Sequence, residues 1–311
     1  MIEVKNLSKF YGEKIGVKGI NFTVQKGEIV GLLGPNGSGK TTIMKLINGY
    51  ITPSEGTVIV DGYDILYKPK EVMARIGFLP EIPLLYPEMQ VFEFLLFIAE
   101  IKGVVKSKRK VHIDEIMEMT NITHVRDRLI KNLSKGYKQR VGLAQAIISN
   151  PPIFIFDEPT VGLDPKQINE VRRLVKKLGE EHTVILSSHI LAEVSMTCNR
   201  VIILNKGRIT AIDTIENLSR GLADTGQFLI KLKGSAQDAE NVLKSVKGII
   251  TVEPMASMPS SVDYCGFVVT NDKNAEIREA LFNAMAKKGL PIIELTSIGI
   301  TLENIFLQLT E

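Results

Sequence analysis

The sequence predicts two domains, an α/β domain over residues 1–217 and a smaller α+β domain over residues 226–311. Three observations predict them. Short, wholly apolar runs alternate with helical stretches up to about residue 215, and runs of that kind belong to a sheet covered on both faces. A glycine-rich loop joins the first such run to a helix, and the composition changes at the segment NLSRGLADTG. The 311 residues also allow two domains at about 150 residues each.

In chain order, Ile2–Asn6 and Thr57–Val60 are β-rich, and the turn Asp61-Gly62 makes this part antiparallel. Ile29–Leu33 (IVGLL) runs into the glycine loop, and a helix is expected over Thr42–Asn48. From about 85 to 150 the pattern is helical, over Glu93–Lys102, Ile113–Met119 and Tyr137–Ser149, so this stretch reads as an inserted helical subdomain. Asn150-Pro151-Pro152 stops the last helix before the strand Ile153–Phe156 (IFIF). The strand Val184–Leu186 leads into Ser187-Ser188-His189, and Val201–Leu204 ends in a hairpin turn at Asn205-Lys206-Gly207. The second domain reads strand, helix, strand, strand, helix, strand over Phe228–Lys233, Ala236–Val246, Gly248–Glu253, Phe267–Thr270, Ala275–Lys287 and Ile292–Leu295, with a closing helix at Leu302–Leu309. That order suggests a ferredoxin-like domain.

Composition narrows the function. Apolar residues are 44% and charged residues 23%, which excludes disordered, collagen-like and coiled-coil chains. The net charge of +3 does not demand a nucleic-acid partner. Charge is uneven: residues 1–215 hold 29 basic and 23 acidic side chains, against 9 and 12 in 216–311. A basic first part fits a polyanionic ligand, and a solvated surface explains it as well. Cys198 and Cys265 form no metal-binding pattern, and a reducing compartment is expected. The N-terminus lacks an apolar leader-like run, and the most apolar stretch, Val91–Ile101, is interrupted by Glu93 and Glu100. A membrane span needs about 20 apolar residues, so none is expected.

Gly34-Pro35-Asn36-Gly37-Ser38-Gly39-Lys40-Thr41 fits G-x-x-x-x-G-K-[ST], between a strand and a helix as that motif requires. Glycines let backbone N–H groups turn inward around an anion, and the helix N-terminus adds its dipole. Lys40 supplies a charge for β and γ phosphates, and the Thr41 hydroxyl is offered to Mg²⁺. Asp157 and Glu158 close the IFIF strand. At that position the first acid can meet Mg²⁺ and the second can act as general base on an attacking water.

With these motifs the sequence resembles the ATP-binding-cassette (ABC) ATPases. It carries a Walker A loop GPNGSGKTT at 34–42, a signature LSKGYKQR at 133–140, a Walker B IFIFDEP at 153–159, a D-loop GLD at 162–164 and a switch histidine, His189, in the family's order. The wording around 79–81, 133–147 and 301–310 is similar to the ATPase subunits of ABC-2-type exporters. The resemblance implies a P-loop NTPase of ABC type with a helical subdomain, using ATP and Mg²⁺.

It also implies roles. Gly34, Asn36, Gly37, Ser38, Gly39, Lys40, Thr41 and Thr42 would cradle the nucleotide, with Tyr11 stacked on adenine. Thr41 and Asp157 would hold the metal, and Glu158, His189 and Lys40 would be catalytic. Ser134 and Gly136 would touch the γ-phosphate of a second subunit, with Asp164 at the interface between the two. Lys135 and Tyr137 depart from the family's usual LSGGQ, and Glu81 stands where a Gln is usual. A carboxylate cannot donate as an amide does. Read singly, several have plainer explanations: Tyr11 as a surface tyrosine, Ser134 and Asp164 as helix caps, Glu81 as a loop residue.

The implied species is a head-to-tail dimer, of two copies or of this chain with a homologous subunit. It would work on a separate membrane permease at the cytoplasmic face of the membrane, with no nucleic acid involved. A permease helix would dock near residues 79–100, where Leu84, Leu85, Tyr86 and Phe92 either line a groove or form the insertion's own core. The alternative is a soluble ABC ATPase acting on ribosomes or DNA. The run Lys106-Ser107-Lys108-Arg109-Lys110 either faces lipid headgroups or is a solvated helix end. The second domain has no glycine-rich or metal-spaced site, so a partner-contacting or dimer-supporting role is expected of it.

Overall fold

A computed structural model describes residues 1–217, 227–255, 264–272 and 277–297. The expected closing helix at 302–309 lies outside the described residues. The chain divides into two units, Met1–Ile215 and a second one that starts at Glu216.

The first unit holds two sheets. Strands β1 (Ile2–Tyr11), β2 (Lys14–Val24), β4 (Glu55–Val60) and β5 (Tyr63–Asp64) form an antiparallel sheet in the order β2-β1-β4-β5. Strands β3 (Ile29–Leu33), β6 (Ile76–Leu79), β7 (Ile153–Phe156), β8 (Thr183–Ser188), β9 (Arg200–Asn205) and β10 (Arg208–Thr214) form the other, in the order β10-β9-β3-β8-β7-β6. All neighbours there are parallel except the β9–β10 hairpin. Every residue of β3, β7 and β8 is buried, which is why these strands lack polar alternation.

Helix α1 (Lys40–Ile47) shares one core with both sheets. Its Ile43, Met44, Leu46 and Ile47 are buried with Ile2, Val4 and Leu7 of β1 and with Val30, Leu32 and Ile155 of the parallel sheet. This clamps the N-terminus of α1 at the end of β3.

Helices α3 (Val91–Ile101), α4 (Arg109–Met119) and α5 (Lys135–Ile147) make up the insertion, joined by 3₁₀ turns and entered after the short helix α2 (Pro69–Met73) and β6. Strands β6 and β7 lie side by side although the insertion separates them in sequence. Helix α6 (Pro165–Gly179) buries Val171, Leu174, Val175 and Leu178, an i, i+3, i+4, i+7 stripe, and α7 (Leu191–Thr197) follows β8.

The second unit contains β11 (Gln227–Lys233), α8 (Ala236–Ser245), β12 (Ile249–Pro254), β13 (Tyr264–Asn271), α9 (Arg278–Lys287) and β14 (Ile292–Ser297). Its sheet is antiparallel in the order β12-β13-β11-β14. Phe228, Ile230, Leu232, Phe267 and Val269 pack with Leu243, Leu281 and Met285 of the helices.

One expectation shifts. Helix α1 begins at Lys40 rather than Thr42, because Gly39 takes φ 108° and turns the chain straight into the helix. In the insertion, Phe92 is half-buried and carries the Arg126 guanidinium 3.6 Å from its ring centroid. Leu85 is also half-buried.

Candidate active site

The phosphate loop is built by exclusion of side chains. A Cβ on Gly34 would lie 2.4 Å from the Leu204 carbonyl and 2.5 Å from Ser38 Oγ, so only glycine fits there. The β9–β10 turn braces the loop from behind. Lys206 and Gly207 both have positive φ, as a tight hairpin requires, and the Gly207 N–H donates to the Ser38 carbonyl at 3.0 Å. Ser38 Oγ is buried with no hydrogen-bond partner among the described residues, which leaves the loop a free hydroxyl.

Lys40 is the first residue of α1 and is buried. Its Nζ donates to the Gly34 carbonyl at 2.8 Å and lies 3.5 Å from Glu158 Oε1. Asp157 and Glu158 follow β7 directly and are also buried. Glu158 has φ 48°, a left-handed conformation uncommon for a residue with a side chain. That turn aims its carboxylate back over the loop: Glu158 Oε2 meets His189 Nδ1 at 3.0 Å, while the His189 ring stays partly open to solvent.

Ser187, at the end of β8, holds the two acids in place. Its hydroxyl donates to Asp157 Oδ1 at 2.7 Å and accepts from the Glu158 N–H at 2.8 Å. Ser188 donates to Glu193 Oε2 at 3.0 Å, and Thr160 donates to the same oxygen at 2.6 Å. These contacts tie the start of α7 to the segment after Glu158.

A cavity of about 500 Å³ lies over the loop, lined by Gly16, Asn36, Gly37, Gly39, Lys40, Thr41, Thr42, Glu81, Glu158, Val161 and His189. Tyr11 stands beside it: a Cβ on Gly16 would be 2.8 Å from the Tyr11 ring and 3.2 Å from Thr42 Cγ2. A second cavity, of about 430 Å³, is lined by Thr41, Glu81 and Asp157 together with Tyr50, Phe78, Ile82 and Leu84.

Ser134, Gly136 and Asp164 line neither cavity. Ser134 caps α5 by accepting from the Tyr137 N–H, and Asp164 caps α6 by accepting from the Gln167 N–H at 2.9 Å. The two caps belong to neighbouring segments. A Cβ on Gly162 would lie 2.5 Å from Lys135 Nζ, and one on Gly136 would lie 2.5 Å from Gln167 Oε1. Tyr137, where the usual Gln is absent, pairs its hydroxyl with His124 Nε2 at 2.8 Å.

Sequence reasoning missed Ser187, Gly16, Gly207 and Glu193. Ser187 had a visible signal, since it stands two residues before His189 at the end of an apolar strand. Gly207 was legible as a hairpin turn but not as a brace for the phosphate loop, and Gly16 and Glu193 act partly through contacts far apart in the chain.

A buried lysine at a helix N-terminus, beside a strand-end glutamate that meets a histidine over a glycine-built anion nest, defines a P-loop nucleoside-triphosphate hydrolase. Comparison with known proteins narrows the class. A family model described as "ABC transporter" matches residues 17–161. The linearmycin resistance ATP-binding protein LnrL of Bacillus subtilis (strain 168) is 36% identical over 233 residues, covering 75% of this chain and 74% of that protein. The bacitracin transport ATP-binding protein BcrA of Bacillus licheniformis is 38% identical, covering 67% of this chain and 68% of that protein. A dimeric, post-hydrolysis ATP-binding cassette bound to ADP and Pi superimposes with a TM-score of 0.65 at 28% identity, covering 69% of this chain and 99% of that one. The chain belongs to the ABC transporter family, as a nucleotide-binding, ATP-hydrolysing subunit. These relatives support the transporter reading and not the ribosome or DNA alternative. Among the described residues no helix is long and apolar enough to cross a membrane.

Proposed function

We propose that this chain powers an ABC-2-type exporter, as a head-to-tail dimer at the cytoplasmic face of the membrane, bound to a separate integral permease. One observation carries the dimer. The cavity that gathers Lys40, Glu158 and His189 includes neither Ser134 nor Gly136. Within one chain the site has a phosphate cradle and a base but lacks the signature groups. A second copy, turned head to tail, would bring its Ser134 hydroxyl and α5 N-terminus to the γ-phosphate. The solved cassette is itself dimeric, which supports the pairing of two cassettes.

In this reading Tyr11 stacks on adenine, and the loop residues Gly34, Asn36, Gly37, Ser38, Gly39, Thr41 and Thr42 bind the phosphates. Lys40 neutralises β and γ oxygens. Glu158 takes the proton of the attacking water, and His189 holds the Glu158 carboxylate toward it. The oxygens of Thr41 and Asp157 face one cavity and suit a hard cation such as Mg²⁺, which would neutralise phosphate charge. Glu81 faces both cavities and would join the shell around that ion through water. Asp164 would meet the second copy. ATP binding closes the dimer and hydrolysis opens it.

The permease would dock beside the second cavity, where Ile82 and Leu84 are exposed. Tyr86 is also exposed and packs edge-on against Phe94 and Phe97. The domain over residues 226–311 would act as an accessory, supporting the dimer or a partner. Export is supported by the wording shared with ABC-2-type subunits and by relatives named for bacitracin transport and linearmycin resistance.

Two outcomes check this reading. Tagged chain extracted from its native membranes in mild detergent is expected to bring down a polytopic membrane protein in stoichiometric amount. Recovery only in the soluble fraction would sink the permease assignment. Ser187→Ala is expected to lower kcat about tenfold or more with a smaller change in nucleotide affinity, because both acids lose their common anchor. It should also cost about 1–3 kcal/mol of stability, measured by denaturant titration.

A further inference from the structure

The corner between α3 and α4 carries a feature that ATP hydrolysis does not use. Lys102, Lys106, Lys108 and Lys110 are all exposed there, and among the described contacts none has an ion-pair partner. Arg109 is committed elsewhere, to Glu100 at 3.2 Å and to the Val104 carbonyl at 2.8 Å. That pair fixes the corner and leaves the four ammonium groups outside. Between them, Ile101, Val105 and Val111 are each more than 60% exposed. Val105 and Val111 also line a cleft of about 520 Å³ with Lys108, His112, Glu115 and the residues just after α5, Ile148, Ser149 and Asn150. The His112 ring is held against the Ile148 carbonyl at 2.6 Å, so the cleft is a fixed part of the subdomain.

Cations interleaved with exposed aliphatic side chains suit an anionic bilayer surface. The ammonium groups sit at headgroup phosphates while the valines and isoleucine enter the acyl boundary. A nucleic acid would also satisfy the charges, but it would leave three aliphatic side chains in water. An exposed apolar path leads the same way. Phe97 and Ile101 lie four residues apart on one face of α3, and Phe97 packs against Tyr86 at the edge of the proposed permease groove.

We propose that this corner is a direct contact for anionic phospholipid, by which the chain holds the membrane surface independently of its permease. The inference rests on the membrane-peripheral reading above, and protein-free vesicles test it separately. The full chain is mixed with vesicles of equimolar phosphatidylglycerol and phosphatidylcholine, or of phosphatidylcholine alone, and floated on a density gradient. Binding to the anionic vesicles only, weakened by salt, is expected. The triple variant K106A/K108A/K110A should lose about a hundredfold in vesicle affinity, at about fivefold per charge, with ATP hydrolysis unchanged. V105S/V111S should bind more weakly than the native chain at the same charge. Absence of flotation, equal binding by the triple variant, or binding to duplex DNA in place of vesicles would overturn the proposal. A negative vesicle result leaves co-purification with a permease untouched, and the reverse holds too.

Discussion

Glu158→Gln is expected to abolish turnover while keeping ATP bound. Loss of a general base costs roughly 10²–10⁴ in rate. The change is nearly isosteric and removes only the proton acceptor, so binding should survive. The geometry makes it a clean test. Lys40 retains the Gly34 carbonyl at 2.8 Å as a partner, so its ammonium is not stranded when the carboxylate goes. The His189 ring can switch tautomer to pair with an amide, and the Glu158 N–H keeps its bond to Ser187. The loop should therefore hold its shape. With ATP and Mg²⁺ the variant should accumulate as a dimer on size exclusion, because the closed state no longer discharges by hydrolysis. Single-turnover kinetics and light scattering together measure both effects. Normal turnover would remove Glu158 from the mechanism; a silent monomer would remove the dimer.

Lys40→Ala acts earlier, on the nucleotide itself. A hydrogen bond to a charged group contributes about 1.5–3 kcal/mol, so losing the ammonium should weaken ATP binding by roughly 10–100-fold. ADP should suffer less wherever the γ-phosphate contact dominates. The substitution also leaves the Glu158 carboxylate with only its hydrogen bond to His189, and removing half of a buried pair destabilises the fold. Thermal unfolding separates these consequences. ATP at about a hundred times its dissociation constant stabilises the native chain by about 2.7 kcal/mol. Lys40→Ala should show a lower starting midpoint and a smaller rise at the same ATP concentration, worth about 0.4–1.4 kcal/mol. An unchanged ATP-induced shift would mean that Lys40 is not a phosphate ligand.

Both predictions use residues that local sequence already pointed to, and the reason is physical. A phosphate loop is a backbone conformation, and glycines at 34, 37 and 39 with a lysine at the next helix start encode it within a few residues. Fully buried strands announce themselves because they cannot alternate, as IVGLL and IFIF show. Helix caps are equally local: Ser134 and Asp164 each bond to a backbone N–H three residues on. The hairpin turn at Lys206-Gly207 is fixed by two positive φ angles that its residues tolerate.

Other elements left weaker marks. Strand β2 was not legible because its glycines at 16 and 19 break the alternation that the sheet itself imposes. Strand β6 is four residues long and gains its place only by pairing with β7 across the whole helical insertion. Sequence leaves Phe92 between groove and core, and the Arg126 guanidinium over its ring comes from a distant turn that only the fold brings close.

By itself the sequence determined the class of chemistry: a phosphate-loop motif, a strand-end acid pair, a histidine after a buried strand, and an α/β frame to carry them. The tertiary structure decided how these groups meet. Glu158 and His189 are 31 positions apart and become partners only because β7 and β8 are adjacent parallel strands. Ser187 became the anchor of both acids for the same reason. Glycine loops, caps and apolar runs are settled by forces acting over a few bonds. Distances between strand ends depend on the order in which a sheet is assembled, which no single segment encodes.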